Sequence, residues 1–202
     1  MKASSNELIV STSTARPTRF LWALVLAALA VAVLAGSALA AANLVRNGSF
    51  EKDGNGDGEP NSWDRDASLG ILPRRDCNKS YAGACSLKFS LDNQFKYVIS
   101  SNVVAGGPSG VAYTLYFWAK TKDLVTGISP MQVQLYFHYT DDTNSHFSVN
   151  IPQGTQSWQA LNVTPISGKT FDYLYVVIES DQDSGKVWFD KMKVESGCGP
   201  NC

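Results

Sequence analysis

From residue 86 onward the chain repeats one pattern: short runs in which apolar and polar residues alternate, each closed by a cluster of Gly, Pro, Asn, Asp or Ser. Alternation at period two marks a half-buried strand, and no window shows the spacing of an amphipathic helix. The segments 43–47, 86–91, 96–104, 112–120, 131–140, 146–151, 158–164, 171–179 and 186–194 are expected strands. That many short strands separated by turns predict an all-β chain, a two-sheet antiparallel jelly-roll β-sandwich.

Side chains alternate across a strand, so each run divides into a core face and an outer face. In 112–120 the core set is Tyr113, Leu115, Phe117 and Ala119, and Thr114, Tyr116, Trp118 and Lys120 point outward. In 131–140 the core set is Val133, Leu135, Phe137 and Tyr139, against Gln132, Gln134, Tyr136, His138 and Thr140. In 171–179 Leu174, Val176 and Ile178 go in, and Tyr173, Tyr175 and Glu179 go out. These outer faces are neither apolar enough for a core nor charged like a solvated surface. Rings interleaved with amides suit sugars, whose C–H faces stack on aromatics and whose hydroxyls bond to planar amides. The plainer reading is that aromatic residues favour strands and pair across them. That reading leaves Gln132, Gln134 and His138 between the rings unexplained. The candidate carbohydrate-binding set is therefore Tyr116, Trp118, Gln132, Gln134, Tyr136 and His138, with Tyr173 and Tyr175.

The charge balance excludes one class of partner. Seventeen Lys and Arg against 18 Asp and Glu leave no basic footprint for nucleic acid. At the N-terminus Lys2, Arg16 and Arg19 precede an apolar run from Phe20 to Ala35 and a small-residue stretch with Ala38 and Ala40. This pattern predicts a secretory signal over 1–40, a β-sandwich domain over 41–196 and a tail over 197–202. Extended to Ala42, the same run reaches about twenty residues, enough to anchor the chain in a membrane if the signal is not cleaved. Export to the cell surface or medium agrees with the four cysteines, Cys77, Cys85, Cys198 and Cys202. Four cysteines allow three pairings. Local pairing is favoured because turn formers fill both intervening segments, and a zinc site is disfavoured by the spacing and the distant histidines. Asn47, Asn78 and Asn162 stand in glycosylation sequons.

The stretch "EKDGNGDGEPNSWD" at 51–64 carries Asp53, Asn55, Asp57 and Gly58 at the spacing of the first half of an EF-hand loop. Pro60 and the absence of flanking helices argue against an EF-hand. A second-ion loop at Asp53, Asn55 and Asp57 and a mobile polar turn both remain open readings.

The segments "NLVRNGSFE" (43–51), "PNSW" (60–63), "SYAGACSLKF" (80–89), "YTLYFWAK" (113–120), "SWQALNVT" (157–164) and "VWFDKMKVES" (187–196) together resemble carbohydrate-binding modules. The resemblance is to the cellulose- and xylan-binding jelly rolls of families four, nine and twenty-two, within the galactose-binding-like sandwiches. It implies a glycan site and one structural calcium. Carried over, the calcium ligands are Glu51, the carbonyl of Ser49, Asp76, the carbonyl of Lys79, and Asp190. Independently, Val187 and Phe189 alternate in one phase and Met192 and Val194 in the other, which predicts a bulge at Asp190.

No nucleophile elbow, zinc-protease helix or phosphate loop is present in the sequence. The expectation is an exported, monomeric, non-catalytic polysaccharide-binding protein. The alternative is a surface adhesion or structural module on the same fold, to which Val177 beside Tyr175 would contribute an apolar outer patch.

Overall fold

A computed structural model describes residues 42–65, 73–100 and 104–197, all within the unit from Ala41 to Cys202. The expected signal segment 1–40 and the cysteines Cys198 and Cys202 lie outside the described residues. The strands are β1 (Trp63–Arg65), β2 (Arg74–Asp76), β3 (Ser86–Asp92), β4 (Lys96–Ser100), β5 (Val104–Gly107), β6 (Tyr113–Val125), β7 (Ser129–Tyr139), β8 (Asn144–Asn150), β9 (Gly154–Val163), β10 (Phe171–Asp181) and β11 (Ser184–Ser196).

They form two antiparallel sheets. The first runs β1-β4-β10-β7-β8, with β5 also pairing β10, and the second runs β2-β3-β11-β6-β9. The all-β sandwich read from the alternation is the fold observed. Each core face falls where the period predicts: Leu115, Phe117, Val133, Leu135, Phe137, Val176 and Ile178 are fully buried. Phe137 meets the edges of Tyr113 and Phe171 at 5.6 and 5.3 Å between ring centroids, the tilted geometry that aromatic quadrupoles favour.

The phase change in the last strand is a bulge. The register of β11 on β6 shifts between Asp190 and Lys193, and Lys191 has a left-handed φ of 51°. An extra residue is thrown outward there, so Phe189 and Met192 both reach the core.

The expected strand at 43–47 does not form. Asn47 and Phe50 have φ of 49° and 57°, which break an extended run. The segment still lines the stretch of β11 beyond its pairing with β3, through Leu44 N to Val194 O and Met192 N to Gly48 O, both 2.8 Å. The expected strand 96–104 is observed as β4 and β5, with 101–103 outside the described residues. Strands β1 and β2 carry "WDR" and "RRD", too short and charged for alternation to reveal them.

Candidate functional site

On the outer face of the first sheet, register converts sequence position into a grid. Tyr175 lies opposite Tyr136, and Tyr136 opposite His146; Tyr173 lies opposite His138, and His138 opposite Asn144. The next rows set Val177, Gln134 and Ser148 side by side, then Glu179, Gln132 and Asn150. The rings stack in pairs: Tyr136 and Tyr175 at 5.1 Å, Tyr136 and His146 at 5.0 Å, and His138 and Tyr173 at 4.4 Å between centroids. Burial raises the pKa of Tyr136, and the Glu179 carboxylate adds to it. Burial likewise raises that of Tyr175, with its neighbours Tyr136 and Tyr173 adding to the shift. Both phenols therefore stay protonated and can donate hydrogen bonds at neutral pH.

Among the described residues, two buried polar atoms in this grid have no hydrogen-bond partner. Gln134 is 2% exposed and its Oε1 is unbonded, as is Nδ1 of His138. The nearest acid to His138 is Asp172 at 3.7 Å, beyond hydrogen-bond range. Buried polar groups are nearly always paired, so an orphaned pair on one face calls for an explanation.

Tyr116 and Trp118 are on β6, in the second sheet. The outer-face pattern predicts one surface shared with Gln132, Gln134, Tyr136 and His138, but the two sheets turn their outer faces away from each other. The aromatic set is thus split into two separate surfaces. On the second sheet Trp118 is stacked by Tyr81 at 3.7 Å and 12°, with Tyr116 at its edge and Trp158 at the edge of Tyr81. Tyr81 is outside the candidate set because it sits in a loop, where no period marks an outer face. His146 is also outside the candidate set: the strand expected over 146–151 starts at that residue, whereas β8 starts at Asn144 and carries His146 on its outer face.

Tyr81 is presented by a loop closed by the Cys77–Cys85 disulfide, the local pairing that the turn-rich spacing favours. Two carboxylates brace the loop. Asp190 Oδ2 accepts from the backbone N–H of Tyr81 and Ala82 at 2.8 and 3.0 Å. Glu51 Oε1 accepts from those of Ala84 and Cys85 at 3.0 and 3.3 Å. Desolvation of the fully buried Asp190 pushes its pKa up, against the pull of the Ala82, Lys191 and Tyr81 amides. Asp76 Oδ2 accepts the indole N–H of Trp188 at 2.8 Å, and the Lys79 carbonyl accepts the Ser86 hydroxyl at 2.5 Å.

The carboxylates expected to hold calcium are engaged by N–H donors in this arrangement. Calcium takes six to eight oxygens, and Glu51, Asp76 and Asp190 would have to share theirs with the N–H groups that they now accept from. Among the described residues no three acidic, histidine or cysteine side chains gather as a metal site. The 53–59 loop is likewise internally satisfied. Asp53 accepts from the N–H of Gly56 and Gly58 at 2.9 and 3.0 Å, and Asn55 donates to Asp57 at 2.8 Å. The positive charge here is Arg75, 3.1 Å from Asp53. Its guanidinium also donates to the carbonyls of Phe50 and Glu51 at 2.7 and 2.8 Å. Burial opposes ionisation of Asp53, but the Gly58 and Gly56 amides and Arg75 outweigh it and hold its pKa below the usual value.

No family model and no curated protein matches the sequence. Solved structures match the fold. A family 16 carbohydrate-binding module superposes with a TM-score of 0.56 at 16% identity, over 75% of this chain and 99% of that one. The family 22 xylan-binding domain of Paenibacillus barcinonensis Xyn10C gives 0.51 at 16% identity, over 79% and 97%. A cyclase from Fischerella sp. TAU gives 0.53 at 13% identity, over 75% and 95%. Identities this low carry the architecture alone, and the cyclase shows that the architecture does not decide the chemistry. The chain has the jelly-roll fold of the carbohydrate-binding modules.

Proposed function

We propose that this is an exported, non-catalytic protein that holds a polysaccharide on the outer face of β8, β7 and β10. The observation that carries the reading is the cross-strand grid itself. Tyr136, Tyr175, His146, His138 and Tyr173 are stacked by register, with Gln132, Gln134 and Glu179 in the adjoining rows. Each ring contact contributes on the order of 1 kcal/mol, so several on one rigid face give useful affinity. The face is built on strands in register. The fold shared with carbohydrate-binding modules supports the reading.

The alternative, a surface module without a glycan site, drew on Val177 as an exposed apolar residue. Val177 is only 6% exposed, and that sign is lost.

Affinity electrophoresis through gels holding β-glucan, xylan, mannan or pectin tests the proposal. At least one polysaccharide is expected to retard the protein, and Tyr136→Ala with Tyr175→Ala is expected to abolish the retardation while far-UV dichroism is unchanged. Free migration of the folded protein in every gel, or retardation unaffected by the double substitution, overturns it.

A further inference from the structure

The second sheet carries a cavity that the first-sheet grid does not use. It has a volume of about 590 Å³ and lies between the 43–52 segment, the disulfide-closed loop and the outer face of β6 and β11. One wall is aromatic, made by Tyr81, Trp118 and Tyr116. Tyr81 remains 42% exposed although it lies on Trp118, so the wall is open to a ligand.

The rim is basic, with Lys52, Lys191 and Lys193 in the lining. The β11 bulge accounts for two of them: the extra residue turns Lys191 outward, and Lys193 follows on the same side. Lys193 is partly neutralised, with Nζ 3.0 Å from Glu195 and 5.3 Å over the Tyr116 ring. Lys52 and Lys191 are exposed and carry no ion pair among the described residues. Two acids stand near these lysines: Glu51 in the lining, its Oε1 held by the amides of Ala84 and Cys85, and the buried Asp190, whose carboxyl interacts with Lys191.

We propose that this cavity is a second ligand site, taking a sugar ring that bears a carboxylate, such as a hexuronic acid residue of an acidic polysaccharide. The rings supply the surface for the C–H face of the sugar, and Lys52 and Lys191 supply charge-assisted bonds to the carboxylate. A neutral sugar would gain nothing from either ammonium group beyond a hydrogen bond. A small inorganic anion would leave the aromatic wall unused. The site stands on the sheet opposite to the proposed polysaccharide face and does not depend on it.

Calorimetric titration of the protein with trigalacturonate and with a glucuronic acid trimer, each against its carboxyl-reduced neutral counterpart, tests the proposal. At least one acidic trimer is expected to bind, about tenfold or more tighter than its neutral form, and more weakly as salt is raised. Lys52→Gln with Lys191→Gln, both exposed positions that leave the fold intact, is expected to weaken it about tenfold or more. Tyr136→Ala with Tyr175→Ala is expected to leave it unchanged, which separates this site from the first-sheet face. Absence of binding by both acidic trimers overturns the proposal. So does acidic binding that survives the lysine substitutions, or that is lost with the tyrosines instead.

Discussion

Tyr81 lies flat on Trp118, ring centroids 3.7 Å apart, presented by the loop between Cys77 and Cys85. The disulfide closes the loop, and Asp190 and Glu51 hold its backbone from two sides. Replacing Cys77 and Cys85 with Ser should cost about 2–3 kcal/mol, since a short closed loop restricts the unfolded chain. It should also loosen the stacked pair. Chemical denaturation measures the first effect, and the near-ultraviolet dichroism of the Tyr81–Trp118 pair measures the second. A stability loss with an unaltered aromatic signal would mean that the carboxylates alone position Tyr81.

Arg75 stands between two segments that strands do not tie together. It donates to Phe50 O and Glu51 O and pairs with Asp53, so one guanidinium fixes both the 50–53 turn and the 53–59 loop. Arg75→Met should lower the thermal midpoint by several degrees, and Arg75→Lys should recover little, because an ammonium cannot reproduce the fork of donors. Neither calcium nor a chelator should move the midpoint of the native protein. A rise with calcium and a fall with chelator would restore the metal expected from the sequence resemblance.

The strands were legible where one face is buried and the other is not. Tyr113 to Ala119 and Val133 to Tyr139 alternate without a break, and period two leaves no second interpretation. Asp190 was legible as a bulge for the same reason, since the phase of Val187 and Phe189 is lost by Met192 and Val194. Sheet membership was not legible. Tyr116 and Tyr136 have the same local signal, and only the long-range pairing of β6 with β11 and of β7 with β10 sends them to opposite surfaces. Tyr81 was invisible because a loop has no period.

Gly48 should tolerate no side chain. A Cβ there would stand 1.9 Å from the Met192 carbonyl oxygen, while the Gly48 carbonyl accepts from Met192 N at 2.8 Å. Gly48→Ala must therefore push the 43–48 segment off β11, at a cost of about 1–3 kcal/mol. Because this segment walls the second-sheet cavity, the substitution should also weaken any ligand bound there. Denaturant unfolding and titration of the same variant check the two effects together.

Acid should weaken the fold through Asp53, Asp76 and Asp141. Side-chain hydrogen bonds from Lys169 and Thr143 hold Asp141 at a pKa of about 2. Asp76 is lowered too: burial opposes its ionisation, but the Trp188 indole and the Asn78 amide outweigh it. A carboxyl whose folded pKa is depressed contributes stability that is present above its unfolded value, 3.8, and is lost as pH falls through the folded value. Asp190 acts in the opposite sense, because its raised pKa makes its charged form a burden as pH rises above 3.8. Lys169→Ala should flatten the fall in stability between about pH 4 and 2. Denaturation midpoints across that range decide it, and parallel curves for the two proteins would remove Asp141 from the account.

Gln134 tests whether the first-sheet grid is shaped for a ligand. Its Oε1 is buried without a partner, and an unsatisfied polar atom of this kind costs about 1–3 kcal/mol. Methionine has nearly the same shape and no such atom, so Gln134→Met should stabilise the fold by about 1 kcal/mol. If the amide is kept for a sugar hydroxyl, the same substitution should weaken retention in the polysaccharide gel that retards the native protein. Greater stability with weaker retention is the expected pair of results. Greater stability with unchanged retention would assign Gln134 no part in binding, and would leave the stacked rings to carry it alone.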